Sequence, residues 1–212
     1  MDTTPADLTA RLASVLHGDG PVMVVLVGPN GAGKSTFYAR YLKAISLPFI
    51  NADNLARTLV EVGSPAGEET ERLAAKLAEK KRTELVAQRA SFITETVFSD
   101  PVGAKVRMLR DTQTAGYAIV LIFVCVDSAE LTAKRVETRV ALKGHNVPPE
   151  KIRERYERMR PNVKAALPFV DLGLVIDNSS FNTPHRLVAV TDRGTVIVRN
   201  APMPWWAEEV LP

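Results

Sequence analysis

Cysteine is almost missing from this 212-residue chain. The single Cys125 lies inside an apolar segment, so no disulfide framework can form, and the thiol is expected to be buried and inert. An excess of one charge is lacking too. The 27 Lys and Arg residues against 24 Asp and Glu leave a net charge of +3, too little by itself to point to nucleic acid. No apolar run approaches membrane-spanning length, and the polar N-terminus, with Asp2 and Asp7, has no secretion-signal core. The expectation is a cytoplasmic protein without a membrane partner. No repeat, low-complexity tract or linker divides the chain. With 46% apolar and 24% charged residues it has the composition of an ordinary globular protein. Its length suffices for one α/β core and not for two large ones, so residues 1–212 are read as one domain.

What is present is concentrated in Gly28-Pro29-Asn30-Gly31-Ala32-Gly33-Lys34-Ser35-Thr36. This stretch fills the pattern G-x-x-x-x-G-K-[ST] through Gly28, Gly33, Lys34 and Ser35. Val22 to Val27 ahead of it reads as a buried strand, and Phe37 to Leu42 behind it has helical character. Strand, glycine loop and helix together make a physical site of a common pattern. Glycines let several backbone N–H groups turn inward onto phosphate oxygens, and a helix N-terminus adds partial positive charge. Lys34 would reach the β- and γ-phosphates, and the Ser35 hydroxyl would join a Mg²⁺ shell. The segment implies binding of ATP-Mg²⁺ or a related triphosphate.

The rest of the chain alternates helices and strands. A leading helix starts behind Thr4-Pro5 and ends at Gly18, and the loop helix runs to about Ile45. A short strand at Pro48–Asn51 is expected to neighbour the phosphate-loop strand, with Asp53 just past its end. A helix begins near Glu68, a strand covers Ser91–Thr96, and Pro101 opens another helix. Tyr117–Val126 is the longest apolar run and reads as a central strand. Basic helical sequence follows from Ser128, breaks at residues 143–149 and resumes to about Arg160. After a fifth strand at Leu172–Ile176, two β-prone segments flank Asp192-Arg193-Gly194, a hairpin signal. The order predicts a parallel sheet covered on both faces, with ligands at the strands' C-terminal ends. A basic lid would span roughly 135–160, and a hairpin and tail 185–212.

Several side chains are candidates for chemistry, each with a structural alternative. Asp53 is placed either to accept a proton from an attacking hydroxyl or to cap the following helix. Glu95 at a strand end either contacts substrate or a metal-bound water, or faces solvent. Asp127 mimics the strand-end aspartate that holds Mg²⁺, but Glu130 stands at capping-box spacing from it, and the cap is favoured. Arg135 and Arg139 share a helix face and are assigned to a phosphoryl-transfer lid, with Arg153 a weaker candidate. Lys143 and His145 extend the basic character. Arg155, Arg158 and Arg160 are assigned to the surface beside a core stripe of Ile152, Tyr156, Met159 and Val163. The cluster lacks interleaved aromatics, which argues against nucleic acid. His17 and His185 show no partner, and Trp205-Trp206 is read as an anchor for the tail.

Taken together, these residues resemble the zeta-toxin family kinases. The resemblance rests on Gly28 to Thr36, Asn51-Ala52-Asp53, Phe92-Ile93-Thr94-Glu95-Thr96, Arg135-Val136-Glu137-Thr138-Arg139-Val140, Gly144-His145-Asn146-Val147-Pro148 and Arg155-Tyr156. It covers roughly residues 20 to 180. It implies a P-loop NTPase fold of the nucleotide-kinase type and an ATP-dependent kinase for a small hydroxyl acceptor. In the family's toxins that acceptor is a UDP-N-acetyl amino sugar, phosphorylated at its 3′-hydroxyl. The same resemblance makes Asp53 the general base, Glu95 a substrate or metal-shell contact, and Arg135 and Arg139 the phosphate clamp. It also admits an antitoxin protein as partner. The arginine spacing is tighter than in the best-known toxins, and the Trp205-Trp206 segment is unmatched. The rival readings are a different acceptor (an antibiotic, a gluconate-like metabolite or a nucleic-acid 5′-hydroxyl) and an ATP-binding regulatory module without catalysis.

Overall fold

The computed structural model describes residues 5–16, 18–141 and 147–212, and of residues 5–9 and Arg139 the backbone alone. Thr4, His17, Lys143, His145 and the Arg139 side chain therefore lie outside the described residues. In chain order the elements are α1 (Pro5–Leu16), β1 (Val22–Val27), α2 (Lys34–Phe37), β2 (Phe49–Asn51), α3 (Ala52–Glu61), α4 (Glu68–Ala87), β3 (Phe92–Thr96), α5 (Ala104–Thr114), β4 (Ala118–Cys125), α6 (Ala129–Ala141), α7 (Pro149–Ala166), β5 (Leu172–Asp177), β6 (Arg186–Asp192), β7 (Thr195–Arg199) and α8 (Trp205–Val210). Helix α2 continues as a π turn over Tyr38–Leu42 and a 3₁₀ turn over Lys43–Ile45.

Seven strands form one sheet in the order β2-β3-β1-β4-β5-β6-β7. The first five are parallel and the last two antiparallel. The sequence expectation that β2 adjoins β1 is corrected: β3 pairs with β1, and β2 forms the edge beyond β3. Three-residue β2 suits an edge, whereas the apolar start of β3 suits the interior.

The all-apolar strands follow from burial on both faces. Along β1, Met23, Val25 and Val27 join one core with residues of α5, α7 and α8, while Val22, Val24 and Leu26 join another with Leu12 of α1 and Phe37 of α2. Strand β4 alternates in the same way, so neither strand shows a polar face in its sequence. Cys125 points into the first core, where burial pushes its thiol up.

Three further boundaries differ from the sequence reading. Pro101 sits in a turn, and α5 starts at Ala104 behind Gly103, whose φ of 67° only glycine adopts freely. Helix α7 passes Pro161 and ends at Ala166, because Val163 and Ala166 extend the buried stripe. Ser128, not Asp127, caps α6: its Oγ accepts the Leu131 N–H at 3.1 Å. The hairpin is as expected, with Arg193 and Gly194 both at positive φ, as a two-residue type I′ turn requires. Among the described residues no helix is long and apolar enough to cross a membrane.

Candidate active site

The C-terminal ends of β1, β2 and β3 meet at one cavity of about 290 Å³. The parallel register sets Leu26 beside Glu95 and Asn51 beside Glu95. Glu95 is thus held between the exits of the two flanking strands. The phosphate loop leaves β1 there, and Gly33 takes the left-handed conformation (φ 93°) that turns the chain into α2. Lys34 is the first residue after that turn. Its ammonium donates to the Gly28 and Pro29 carbonyls at 3.0 Å each and lies 3.7 Å from Glu95 Oε1.

Glu95 does not face solvent: its side chain is 8% exposed. Burial pushes its carboxyl up from the ordinary range, with Lys34 opposing and Asp53 adding to the rise. Hydrogen bonds from Asn51 and Ser35 favour the ionised form. The Ser35 hydroxyl donates to Glu95 Oε2 at 3.4 Å. A hydroxyl beside a carboxylate is an all-oxygen donor set, which suits Mg²⁺. That ion keeps several waters and phosphate oxygens, so it needs no protein cage. No group of three or more His, Cys, Asp or Glu that could hold a metal occurs among the described residues.

Asp53 is released from the alternative role of helix cap. Asn51 caps α3, its Oδ1 accepting the Asn54 N–H at 3.1 Å. Asp53 instead stands in the first turn of α3, exposed, on the wall of the cavity that also contains Lys34 and Glu95. A carboxylate there can receive a proton from a hydroxyl bound in the cavity.

The arginines divide. Arg155, assigned from sequence to the surface, reaches the phosphate loop: its Nη1 donates to Asn30 Oδ1 at 3.2 Å, and it lines the cavity. Its spacing of three and four from Ile152 and Met159 placed it on the border of the buried stripe, and Arg155-Tyr156 stood among the segments of the family resemblance, two signals that could have found it. Arg160 is also not a surface residue. It is 6% exposed and holds Glu157 and Glu209, both at 2.7 Å, tying α7 to the tail. Arg158 pairs with Glu154 and Arg153 with Glu130 on the exterior.

Arg135 lies elsewhere than the Asp53 cavity. It donates to the Asn178 and Ser179 carbonyls at 2.8 and 3.4 Å and packs against Phe181. Burial lowers its pKa, with Asp177 opposing. Asn178 in turn donates to the Ala32 carbonyl at 2.7 Å, and His185 Nε2 lies 3.3 Å from the Gly33 carbonyl. The β5–β6 connection therefore braces the phosphate loop, and Arg135 braces that connection. Asp127 lies outside the cavity, its carbonyl accepting the Trp205 indole N–H at 3.1 Å. Trp206 is fully buried, as an anchor must be.

Lys105 is a cationic lining residue that the sequence candidates did not include. Lys105, in the first turn of α5, has its ammonium lowered to about 8, chiefly by burial.

The zeta toxin family model matches residues 6–182. No curated protein matches this sequence. Among solved structures the chain is similar to the AvrRxo1-ORF1:ORF2 complex in its native form, with a TM-score of 0.70 and 16% identity over 97% of this chain and 71% of that one. It is also similar to AvrRxo1-ORF1:ORF2 with ATP, at a TM-score of 0.59 and 16% identity over 93% and 69%. A third likeness is to the PezAT chromosomal toxin–antitoxin system of the human pathogen Streptococcus pneumoniae, at 0.56 and 16% over 100% and 88%. At these identities the likeness carries the fold.

Proposed function

Because the chain belongs to the zeta toxin family, we propose that it is an ATP-dependent kinase that transfers the γ-phosphoryl group to a hydroxyl of a small molecule. The observation that carries this reading is the meeting of Lys34, Glu95 and Asp53 around one cavity at the mouth of the phosphate loop. A phosphate loop alone serves binding or hydrolysis. A carboxylate lining the same cavity serves an acceptor.

In this reading the backbone of Gly28–Thr36 and the Lys34 ammonium hold the triphosphate. Arg155, anchored on Asn30, adds a second cation on the transfer side. Ser35, with Glu95 behind it, would hold Mg²⁺, which screens phosphate charge when bound. Asp53 accepts the proton as the acceptor oxygen bonds to the γ-phosphorus and the bond to the ADP oxygen breaks. Arg135 supports the loop through Asn178, and Arg139 extends the same helix.

The family suggests a UDP-N-acetyl amino sugar as acceptor. The toxin–antitoxin system among the structural relatives makes a neutralising antitoxin a partner to seek. Incubation with γ-labelled ATP and a panel of hydroxyl acceptors tests the reading. Tight ATP binding with no labelled acceptor would reduce the protein to a nucleotide-binding module.

A further inference from the structure

Two consecutive carbonyls of the phosphate loop are held from outside the loop. Asn178, just past β5, donates its amide to the Ala32 carbonyl at 2.7 Å, and its Oδ1 accepts the His185 backbone N–H at 3.1 Å. His185, one residue before β6, sets Nε2 3.3 Å from the Gly33 carbonyl. That carbonyl also accepts the Phe37 N–H at 2.9 Å, so its two lone pairs meet one backbone group and one side chain. A trans peptide points its N–H away from its C=O. Fixing the Ala32 and Gly33 oxygens from behind therefore aims the Gly33 and Lys34 N–H groups the other way, toward the bound phosphates of the reading above.

The close approach demands both space and a proton in one place. A Cβ added at Gly33 would fall on the Asn178 amide nitrogen and press on His185 Nε2, so the loop glycine also admits its two braces. His185 itself sits at φ 56°, sparsely populated for a residue with a side chain, and the Asn178 bond holds it there. The residue is 8% exposed, and the rings of Phe37 and Tyr41 stand edge-on to its imidazole, centroids 5.3 and 5.8 Å away. Nδ1 is buried without a partner. A proton on Nδ1 alone would orphan that N–H and turn a bare Nε2 lone pair onto the Gly33 oxygen. A charged ring would bury a cation beside Arg40 and Arg135. Burial lowers the His185 pKa; the Gly33 contact opposes this, and Arg40 and Arg135 add to it. The neutral ring with its proton on Nε2 satisfies the geometry.

We propose that His185 is a positioning residue for the nucleotide: as a neutral Nε2–H donor to the Gly33 carbonyl, it keeps the Lys34 N–H turned onto the triphosphate. The proposal rests on the ATP-binding part of the kinase reading and deepens it. His185 touches no reacting atom and acts through one peptide, as Asn178 does through the peptide before it. Loss of the donor leaves the Gly33 oxygen bonded to the Phe37 N–H, so no buried group is orphaned. The cost then falls on phosphate binding and not on stability.

The test separates the proton, the donor and the ring. Nitrogen-15 shifts of the imidazole in the full chain at neutral pH, identified by their loss in His185→Phe, should show a neutral His185 protonated on Nε2. A proton on Nδ1 alone, or a charged ring, overturns the assignment. Calorimetry then measures ATP-Mg²⁺ binding. His185→Phe keeps a ring against Phe37 and Tyr41 but has no donor. Its affinity should fall about 3- to 10-fold, the worth of one hydrogen bond, at a melting temperature close to that of wild type. His185→Gln gives up the ring and keeps an N–H donor. It should bind within about 2-fold of wild type, even where its melting temperature drops. Wild-type affinity in His185→Phe, or a loss in His185→Gln as large as in His185→Phe, would mean that ring packing and not the donor matters, and overturns the assignment. Transfer from labelled ATP is scored separately: its absence, with this order of affinities intact, defeats the kinase reading and leaves the positioning role standing.

Discussion

Lys34 and Glu95 face each other at 3.7 Å across the ends of two adjacent parallel strands, both side chains 8% exposed. The Lys34 ammonium opposes the rise that burial imposes on the Glu95 carboxyl, while Asp53 stands exposed on the wall of the same cavity.

Replacing Asp53 by Asn removes the proton acceptor and keeps the side chain's size. Turnover should fall about 10²–10⁴-fold, with ATP affinity unchanged by calorimetry. Wild-type turnover in that variant would exclude Asp53 from the mechanism.

Glu95 makes stability depend on pH with a defined sign. Its folded-state pKa is raised, chiefly by burial, so the native state binds more protons than the unfolded chain across the interval above the ordinary carboxylate value of about 4.3. Stability from this group is present below that value and is lost as pH rises through the folded pKa. The melting temperature of Glu95→Gln minus that of wild type should therefore increase from acid to neutral pH. A flat or opposite trend would show that Lys34 outweighs burial.

Two arginines two residues apart on α7, and so on different faces of the helix, separate site from surface. Arg155→Ala removes the cation bonded to Asn30 and should cost about 10²–10³-fold in kcat. Arg153→Ala breaks an exposed pair with Glu130, worth about 0–1 kcal/mol, and should leave kinetics unchanged. Equal effects in a steady-state assay would refute the division.

The tail offers a stability contrast. Trp206 is fully buried with its ring edge on Phe123, centroids 5.4 Å apart, so Trp206→Ala should cost about 3–5 kcal/mol in denaturant unfolding. Trp205 is 53% exposed and gives one hydrogen bond to Asp127, so Trp205→Ala should cost only about 0.5–1.5 kcal/mol. A reversed order would mean the tail does not pack as described.

The sequence by itself determined the phosphate loop, the alternating α/β order, the hairpin and the candidacy of Asp53 and Glu95. These depend on neighbouring residues: glycine backbone freedom at Gly33, apolar continuity in β1 and β4, and a positive-φ turn at Arg193-Gly194. Only the tertiary structure decided that β3 rather than β2 adjoins β1, that Asn51 caps α3 and so leaves Asp53 to the cavity, and that Arg155 rather than Arg153 touches the loop. It also brought Lys105 to the site. Each of these is a question of which distant element buries which face. Strand pairing and side-chain desolvation are set by packing between segments far apart in the chain, such as Asn30 and Arg155, and no local pattern encodes that.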